Sequence, residues 1–222
     1  MDRSQWLLVA HVVVFAIWFG TDLATFTLSR RVVSPTTTPQ IRAAVAGGMM
    51  SVEIFARLCL PLAIGSGVLT AEDRGWIDWG WISGAVGIAA PLWSIAVWVI
   101  HASGPRIARR VASVDLIWRI AVAATLWVLA IWSLAANPDG PVSTRWLAVK
   151  LLCAAVIVSS GIAIRFLLRP FNTAFAEVLA DGSSPEREAT IADSIRRAQP
   201  FVVLIWAGLL VAATMGIAQP VL

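Results

Sequence analysis

The chain has 222 residues, of which 59% are hydrophobic and only 14% are charged. A mean hydropathy of +0.80 excludes a soluble domain with an ordinary polar surface, and the formal charge of +4 is distributed beside apolar stretches instead of forming a nucleic-acid-binding face. We therefore expect an integral membrane protein that contacts the lipid bilayer and has no nucleic-acid partner.

Six stretches of about 20 predominantly apolar residues are each long enough to cross the hydrocarbon core of a bilayer. They predict an all-α fold, a bundle of six transmembrane helices that forms a single domain over residues 1–222. The gap at 170–198 leaves room for one or two short helices. The predicted spans are 6–28, 51–71, 79–101, 116–136, 143–168 and 199–219.

The basic residues distinguish the two sides of this bundle. Arginines follow spans one, three and five, whereas the opposite ends of the spans carry few basic residues. The positive-inside rule then places both termini on the outer, periplasmic side of a bacterial inner membrane. The tryptophans expected to anchor the outer interface are Trp6, Trp76, Trp79, Trp81, Trp132 and Trp146.

The first span carries a polar stripe. His11, Phe15, Trp18, Asp22 and Thr25 are spaced so that they share one face of a helix. An imidazole and a carboxylate are expensive to expose to lipid, so this face should look toward the bundle interior, a cofactor or a water-filled path. We expect Trp18 to pack inside the bundle.

Asp22 and Arg57 lie at similar depths, each about six residues from the inner end of its span. We expect an ion pair between them, with Glu53 one turn below Arg57. Such a pair is either structural, cancelling two costly charges, or part of a proton or anion path. Both interpretations stay open.

Spans two to four carry further local signals. Pro39, in the first turn after a capping residue, predicts that the second span begins as a cytoplasmic amphipathic helix. Asp115 and Arg119, four residues apart, predict a local ion pair. His101 ends span three roughly 25 Å from the level of His11, so one haem cannot join the two histidines. We expect His101 to be an interfacial residue or to belong to a separate site.

Lys150 in span five lies roughly 8 to 10 Å below the outer end of its span, at the same depth as His11. The two side chains are expected to share one site in the outer leaflet. There the imidazole ligates haem iron or another metal, and the lysine pairs with a carboxylate, carries a proton or acts as a second ligand. The structural alternative is a lysine that snorkels outward and a histidine that bonds a neighbouring helix.

A capping signal precedes span six. Ser184, Pro185 and Glu186 predict the start of a short polar helix that ends near Pro200, where the span begins. We therefore expect two helical segments, separated at the proline.

Three segments resemble one membrane superfamily. Residues 11–20 resemble its H-x6-W-[FA]-[GA] first-span motif, and residues 57–67 resemble its RL…P…G pattern in the second span. Residues 146–152 resemble its W-L-x-x-K-L motif. By these segments the chain resembles the HemJ-type protoporphyrinogen oxidases and the CopD-like (copper resistance protein D) membrane proteins.

The resemblance implies b-type haem as a cofactor, with His11 as candidate axial ligand and Lys150 as a nearby essential polar group. Trp18, on the same stripe as His11, is a candidate cofactor contact, and Asp22 and Arg57 join Lys150 as candidate catalytic residues. An oxidoreductase related to protoporphyrinogen oxidase, with a porphyrin or quinone-type redox partner, is the activity implied. A homo-oligomer is compatible with this pattern.

Three functional hypotheses follow. The leading one is an inner-membrane protein that binds haem or a porphyrin and takes part in membrane redox or proton chemistry. The alternative is a copper or small-solute permease, with the polar stripe lining a translocation path. The third is a non-catalytic accessory subunit, whose buried charges specify helix packing.

Overall fold

The structure, a computed structural model, describes residues 2–34, 36–136 and 138–220. The regular secondary structure within these ranges is α-helical. The helices are α1 (Arg3–Val32), α2 (Pro39–Asp73), α3 (Trp81–Ala102), α4 (Pro105–Ala135), α5 (Arg145–Leu167), α6 (Arg169–Asp181) and α7 (Pro185–Ala218).

Within the described ranges, six helical segments are long and apolar enough to cross a membrane, which confirms the expected all-α, multi-span architecture. Five of them are single helices, and the remaining one consists of α5 and α6 together. The short helix expected in the gap at 170–198 is α6. The side of the membrane on which the termini lie stays a prediction.

Several helices extend beyond the apolar stretches that predicted them. The second span does begin as a helix at Pro39, and Ser184 caps α7 as expected, since its hydroxyl accepts a hydrogen bond from the backbone of Arg187 at 3.3 Å. The expected break at Pro200 is wrong, because α7 continues through it to Ala218. One missing backbone donor does not end a helix that is packed on both sides of the proline, as α7 is by buried residues such as Ala198.

Neighbouring helices pack side by side from α1 to α5, and α7 packs against α5 and returns to touch α1. The central core is formed where these helices face one another, and it includes Trp18, Leu60, Trp93, Leu126 and Ile157. Helices α1 and α7 therefore touch although they are distant in sequence.

The two ends of the bundle differ in composition, and we name them accordingly. The tryptophan end is where α1 begins and where Trp76, Trp79 and Trp146 lie. The arginine end is where α1 finishes, with Arg30 and Arg31 in its last turn. Helix α6 belongs to the arginine end.

Hydrogen bonds to Glu72 and from Trp79 hold the loops together at the tryptophan end. Glu72, at the end of α2, accepts hydrogen bonds from the backbone of Trp79 at 3.0 Å and from the hydroxyl of Ser83 at 2.8 Å. The indole of Trp79 then donates to the carbonyl of Pro141 at 3.1 Å. The loop between α2 and α3 is thereby tied to the loop between α4 and α5.

A buried arginine joins four helices at the arginine end. The Nε of Arg42, on α2, donates to the carbonyl of Val32 on α1 at 2.7 Å, and its Nη1 donates to Glu188 on α7 at 2.6 Å. Its guanidinium also lies over the ring of Phe175 on α6, 5.6 Å from the centroid. Only 1% of the Arg42 side chain is exposed, so this contact holds the helices together at that end.

Candidate functional site

His11 lies on α1 toward the tryptophan end, and its ring faces α2. The Nδ1 atom is 3.0 Å from the hydroxyl oxygen of Ser66. The ring packs edge-on against Gly67, where an added Cβ atom would lie 3.1 Å from the His11 Cε1 atom. An alanine at position 67 would therefore require the imidazole to shift by a few tenths of an ångström.

Lys150 lies on α5 and extends toward α7. A Cβ atom at position 216 would lie 2.7 Å from its Nζ atom, so the absence of a side chain at Gly216 makes room for the ammonium group. The same ammonium lies 5.9 Å from the centroid of the Trp146 ring. None of the residues that the structure describes accepts a hydrogen bond from Lys150 or forms an ion pair with it.

His11 and Lys150 are brought to the same region of the bundle, within electrostatic range of each other. Also at the tryptophan end, Trp146, in the first turn of α5, meets Trp76 edge-to-face at a centroid distance of 4.8 Å. The arrangement therefore brings an imidazole into the same region as an ammonium group that has no anionic partner among the described residues and that lies against the Trp146 ring. Trp146 is buried, in contrast to Trp6 and Trp81, which are exposed at this end.

Trp18 lies in the central core and is buried, as expected from the sequence. Its neighbours in that core are apolar residues of several helices, among them Ile54 and Leu60 of α2. These contacts describe packing, so the structure offers no separate geometric support for Trp18 as a cofactor contact.

Asp22 binds a partner on the last helix. Its carboxylate accepts a hydrogen bond from the indole Nε1 of Trp206, on α7, at 2.7 Å. The Trp206 ring also meets Phe26 edge-to-face, with centroids 5.1 Å apart. These two contacts join α1 to α7 on the arginine side of His11.

The expected ion pair between Asp22 and Arg57 is wrong. Arg57 instead binds Glu53, one turn away on α2, through Nη2 at 2.6 Å and Nε at 3.1 Å, and more than half of its side chain is exposed. A neighbour on the same helix needs little ordering of either side chain, and Asp22 is already bonded to Trp206. Glu53 lies within electrostatic range of Asp22, so Arg57 reaches Asp22 only indirectly.

Asp115 is at the centre of a buried cluster that the sequence revealed only in part. The predicted pair with Arg119 is confirmed, with 2.9 Å between Nε and Oδ2. Arg165, from α5, adds a second ion pair at 3.1 Å, and the indole of Trp93, from α3, donates to Oδ1 at 2.9 Å. The cluster connects α3, α4 and α5 and contains two cations for one anion.

His101 is exposed at the end of α3, where its ring lies 5.7 Å from that of Trp98. This position favours the interfacial interpretation of His101. It also separates His101 from His11, which faces α2 toward the other end of the bundle.

Within the described residues, no group of three or more histidine, cysteine, aspartate or glutamate side chains is placed to hold a metal ion. His11 is therefore a single candidate ligand. What the site can do chemically is offer one imidazole nitrogen and one ammonium group to a molecule that brings its own remaining donors.

Sequence reasoning missed the roles of Ser66, Trp206 and Arg165, yet a comparison of depths could have suggested all three as candidate partners. Ser66 lies five residues from the outer end of its predicted span, as His11 does, and Trp206 lies within about one turn of the depth of Asp22. Arg165 and Asp115 both lie near the inner ends of their spans. The depth of a residue in its span does not reveal which helices are neighbours.

Comparison with known proteins does not assign a family. The chain matches no protein-family model, and no curated protein or solved structure is detectably similar to it. The resemblance to the HemJ-type and CopD-like proteins therefore stays a prediction.

Proposed function

We propose that this protein binds a porphyrin-type cofactor, b-type haem, near the tryptophan end of the bundle and takes part in membrane redox or proton chemistry. The observation that carries the proposal is the contact between His11 Nδ1 and the Ser66 hydroxyl. It supports a defined protonation of the ring, which is what an axial ligand requires.

The acceptor to which Ser66 donates its hydroxyl proton determines which ring nitrogen of His11 is protonated. Ser66 donates to the carbonyl of Leu62 at 2.6 Å, and a hydroxyl has only one proton to donate. With that proton given to Leu62, the Ser66 oxygen accepts from His11, and this assignment puts the ring proton on Nδ1. The Nε2 atom of His11 is left with a free lone pair, the state in which a histidine ligates a metal.

The Lys150 ammonium supplies the second half of the proposed site. A cation at this depth needs an anionic or strongly polar partner, and Trp146 offers only its ring face. The carboxylate side chains of a porphyrin are such partners, and the four macrocycle nitrogens would provide the donors that the protein does not. When bound, haem would supply one-electron exchange.

The remaining candidate catalytic residues, Asp22 and Arg57, have secondary roles in the proposed site. Asp22 lies below the His11 region with Trp206 as its partner, where it would hold or pass a proton. Arg57 enters only through Glu53. We further propose that the arginine end is cytoplasmic and the protein resides in a bacterial inner membrane, with a quinone-type molecule or porphyrin as redox partner.

An absorption spectrum of the detergent-solubilised protein tests the proposal. We expect a Soret band that is lost in His11→Ala and retained in His101→Ala, the matched control. Ser66→Ala should weaken cofactor binding by about 10- to 100-fold, since it removes the group that fixes the ring. A colourless protein after expression with added haem, or a band that survives His11→Ala, would contradict the proposal.

A copper or small-solute permease is the second candidate. It is favoured by the two levels of polar side chains on α1, because His11 and Asp22 both face neighbouring helices from the same helix face. Uptake of copper into vesicles that is lost in Asp22→Asn would select this function. If neither a spectrum nor uptake is found, the accessory-subunit hypothesis remains.

A further inference from the structure

The first two turns of α4 carry three exposed arginines on one face. Arg106, Arg109 and Arg110 have the spacing i, i+3 and i+4, which aligns them on the helix surface. No carboxylate among the described residues forms an ion pair with any of the three. Asp115, on the same helix, already binds two other arginines.

Arg106, in the first turn of α4, has a position that opposes the stability of the helix itself. The first turn of α4 contains no acidic residue, and Gly104 provides no side-chain cap. The amino end of a helix carries partial positive charge, so cations there are unfavourable unless an anion is nearby. Arg30 and Arg31 differ, because they lie in the last turn of α1, where the helix dipole favours cations.

The surroundings of the three arginines are suited to the boundary between lipid and water. Trp98, at the end of α3, and Ile107, between the arginines, are about half exposed, and Val114 is exposed one turn further along α4. Exposed aromatic and aliphatic side chains beside cations are typical of segments that lie at the level of lipid head groups.

We propose that Arg106, Arg109 and Arg110 form a binding face for the phosphate groups of anionic phospholipids in the leaflet at the arginine end. Guanidinium groups bind phosphate through paired hydrogen bonds, and an anionic lipid adds the net charge that a zwitterionic lipid lacks. This face is far from His11 and does not depend on whether the protein binds haem.

Native mass spectrometry of the purified protein in mixed micelles of detergent, phosphatidylglycerol and phosphatidylcholine tests this proposal. The unmodified protein should retain phosphatidylglycerol in preference to phosphatidylcholine. Replacing the three arginines together with glutamine should weaken phosphatidylglycerol binding by about tenfold or more and leave phosphatidylcholine binding unchanged.

Arg196 and Arg197 provide the matched control. They are exposed at the same end of the bundle, but both pair with Asp193, so the double variant Arg196→Gln with Arg197→Gln should keep the preference for phosphatidylglycerol. An equal loss in the control and the triple variant would overturn the proposal, because it would show a general charge effect.

Two further measurements, one on a single variant and one on the unmodified protein, test the proposal even if the triple variant does not fold. The single variant Arg109→Gln should show a smaller loss of the same sign. In the unmodified protein, raising the salt from about 50 to about 500 mM should weaken phosphatidylglycerol binding, since exposed charges are screened. Salt-independent binding, or displacement of the lipid by inorganic phosphate at equal concentration, would overturn the assignment to lipid.

Discussion

At the scale of single residues, Asp115 accepts hydrogen bonds from Trp93, Arg119 and Arg165 while only 5% of its side chain is exposed. Removing one partner of a buried charge cluster leaves the others without compensation. Because two arginines depend on this one carboxylate, its charge matters more than that of a surface aspartate.

We predict that Asp115→Asn lowers the free energy of unfolding by about 3–5 kcal/mol. The matched change Asp193→Asn, in a largely exposed pair with Arg197, should cost at most about 1 kcal/mol. Chemical unfolding in detergent, followed by tryptophan fluorescence, measures both values. Equal small effects of the two substitutions would show that the Asp115 cluster is not a stabilising centre.

Gly65 marks a close approach between α2 and α3. A Cβ atom there would lie 2.4 Å from the Cβ atom of Ala90, which is attached directly to the backbone and cannot rotate away. We predict that Gly65→Ala lowers the free energy of unfolding by about 1–3 kcal/mol through overpacking. The measurement is the thermal unfolding midpoint, which should fall. Gly84, on α3, has open space where a Cβ would be placed.

Gly84→Ala is therefore the control for that prediction. It should leave the unfolding midpoint unchanged or raise it slightly, because alanine favours the helix more than glycine does. If Gly65→Ala is as stable as Gly84→Ala, then α2 and α3 are not in the close contact described.

At the scale of helices, α1 is held to α7 at the level of Asp22 and Phe26. The indole of Trp206 both donates to Asp22 and packs against Phe26. Trp206→Phe keeps an aromatic ring but removes the donor, so the Asp22 carboxylate loses its hydrogen bond inside the membrane. We predict a loss of about 1–3 kcal/mol in the free energy of unfolding.

Trp6→Phe is the control, since Trp6 is exposed at the start of α1 and its indole has no protein partner among the described residues. It should change the unfolding free energy by less than Trp206→Phe in the same titration. The reverse order would mean that the hydrogen bond to Asp22 contributes nothing to the α1–α7 contact.

The helices also show what the sequence can and cannot reveal. Apolar length located every span, and spacing of four residues located the pair of Asp115 and Arg119, because both signals are local. The partners of Asp22 and His11 come from α7 and α2, and no local pattern specifies which helices are neighbours. The helix break predicted at Pro200 was wrong for a similar reason, since the effect of the proline on α7 depends on the packing around it.

At the scale of the whole molecule, the separation of arginines from tryptophans predicts the orientation in the membrane. Thr36 is exposed in the α1–α2 loop at the arginine end, and Asp139 is exposed in the α4–α5 loop at the tryptophan end. In a background without Cys59 and Cys153, we predict that a membrane-impermeant maleimide labels Asp139→Cys in intact cells. Thr36→Cys should be labelled only after the cells are permeabilised.

Labelling in the opposite pattern would place the arginine end outside. It would then also reverse the leaflet assigned to the proposed haem site, which lies toward the tryptophan end. Labelling of both positions in intact cells would contradict the six-span topology itself.

The hydrogen bond between Asp22 and Trp206 joins residues that are 184 positions apart in the chain. Since ribosomes add about 5 to 20 residues per second, Asp22 is synthesised roughly ten to forty seconds before the indole that donates to it. Throughout that interval α1 exists without the native donor for Asp22, and the hydrogen bond can form only once the α7 segment has been made.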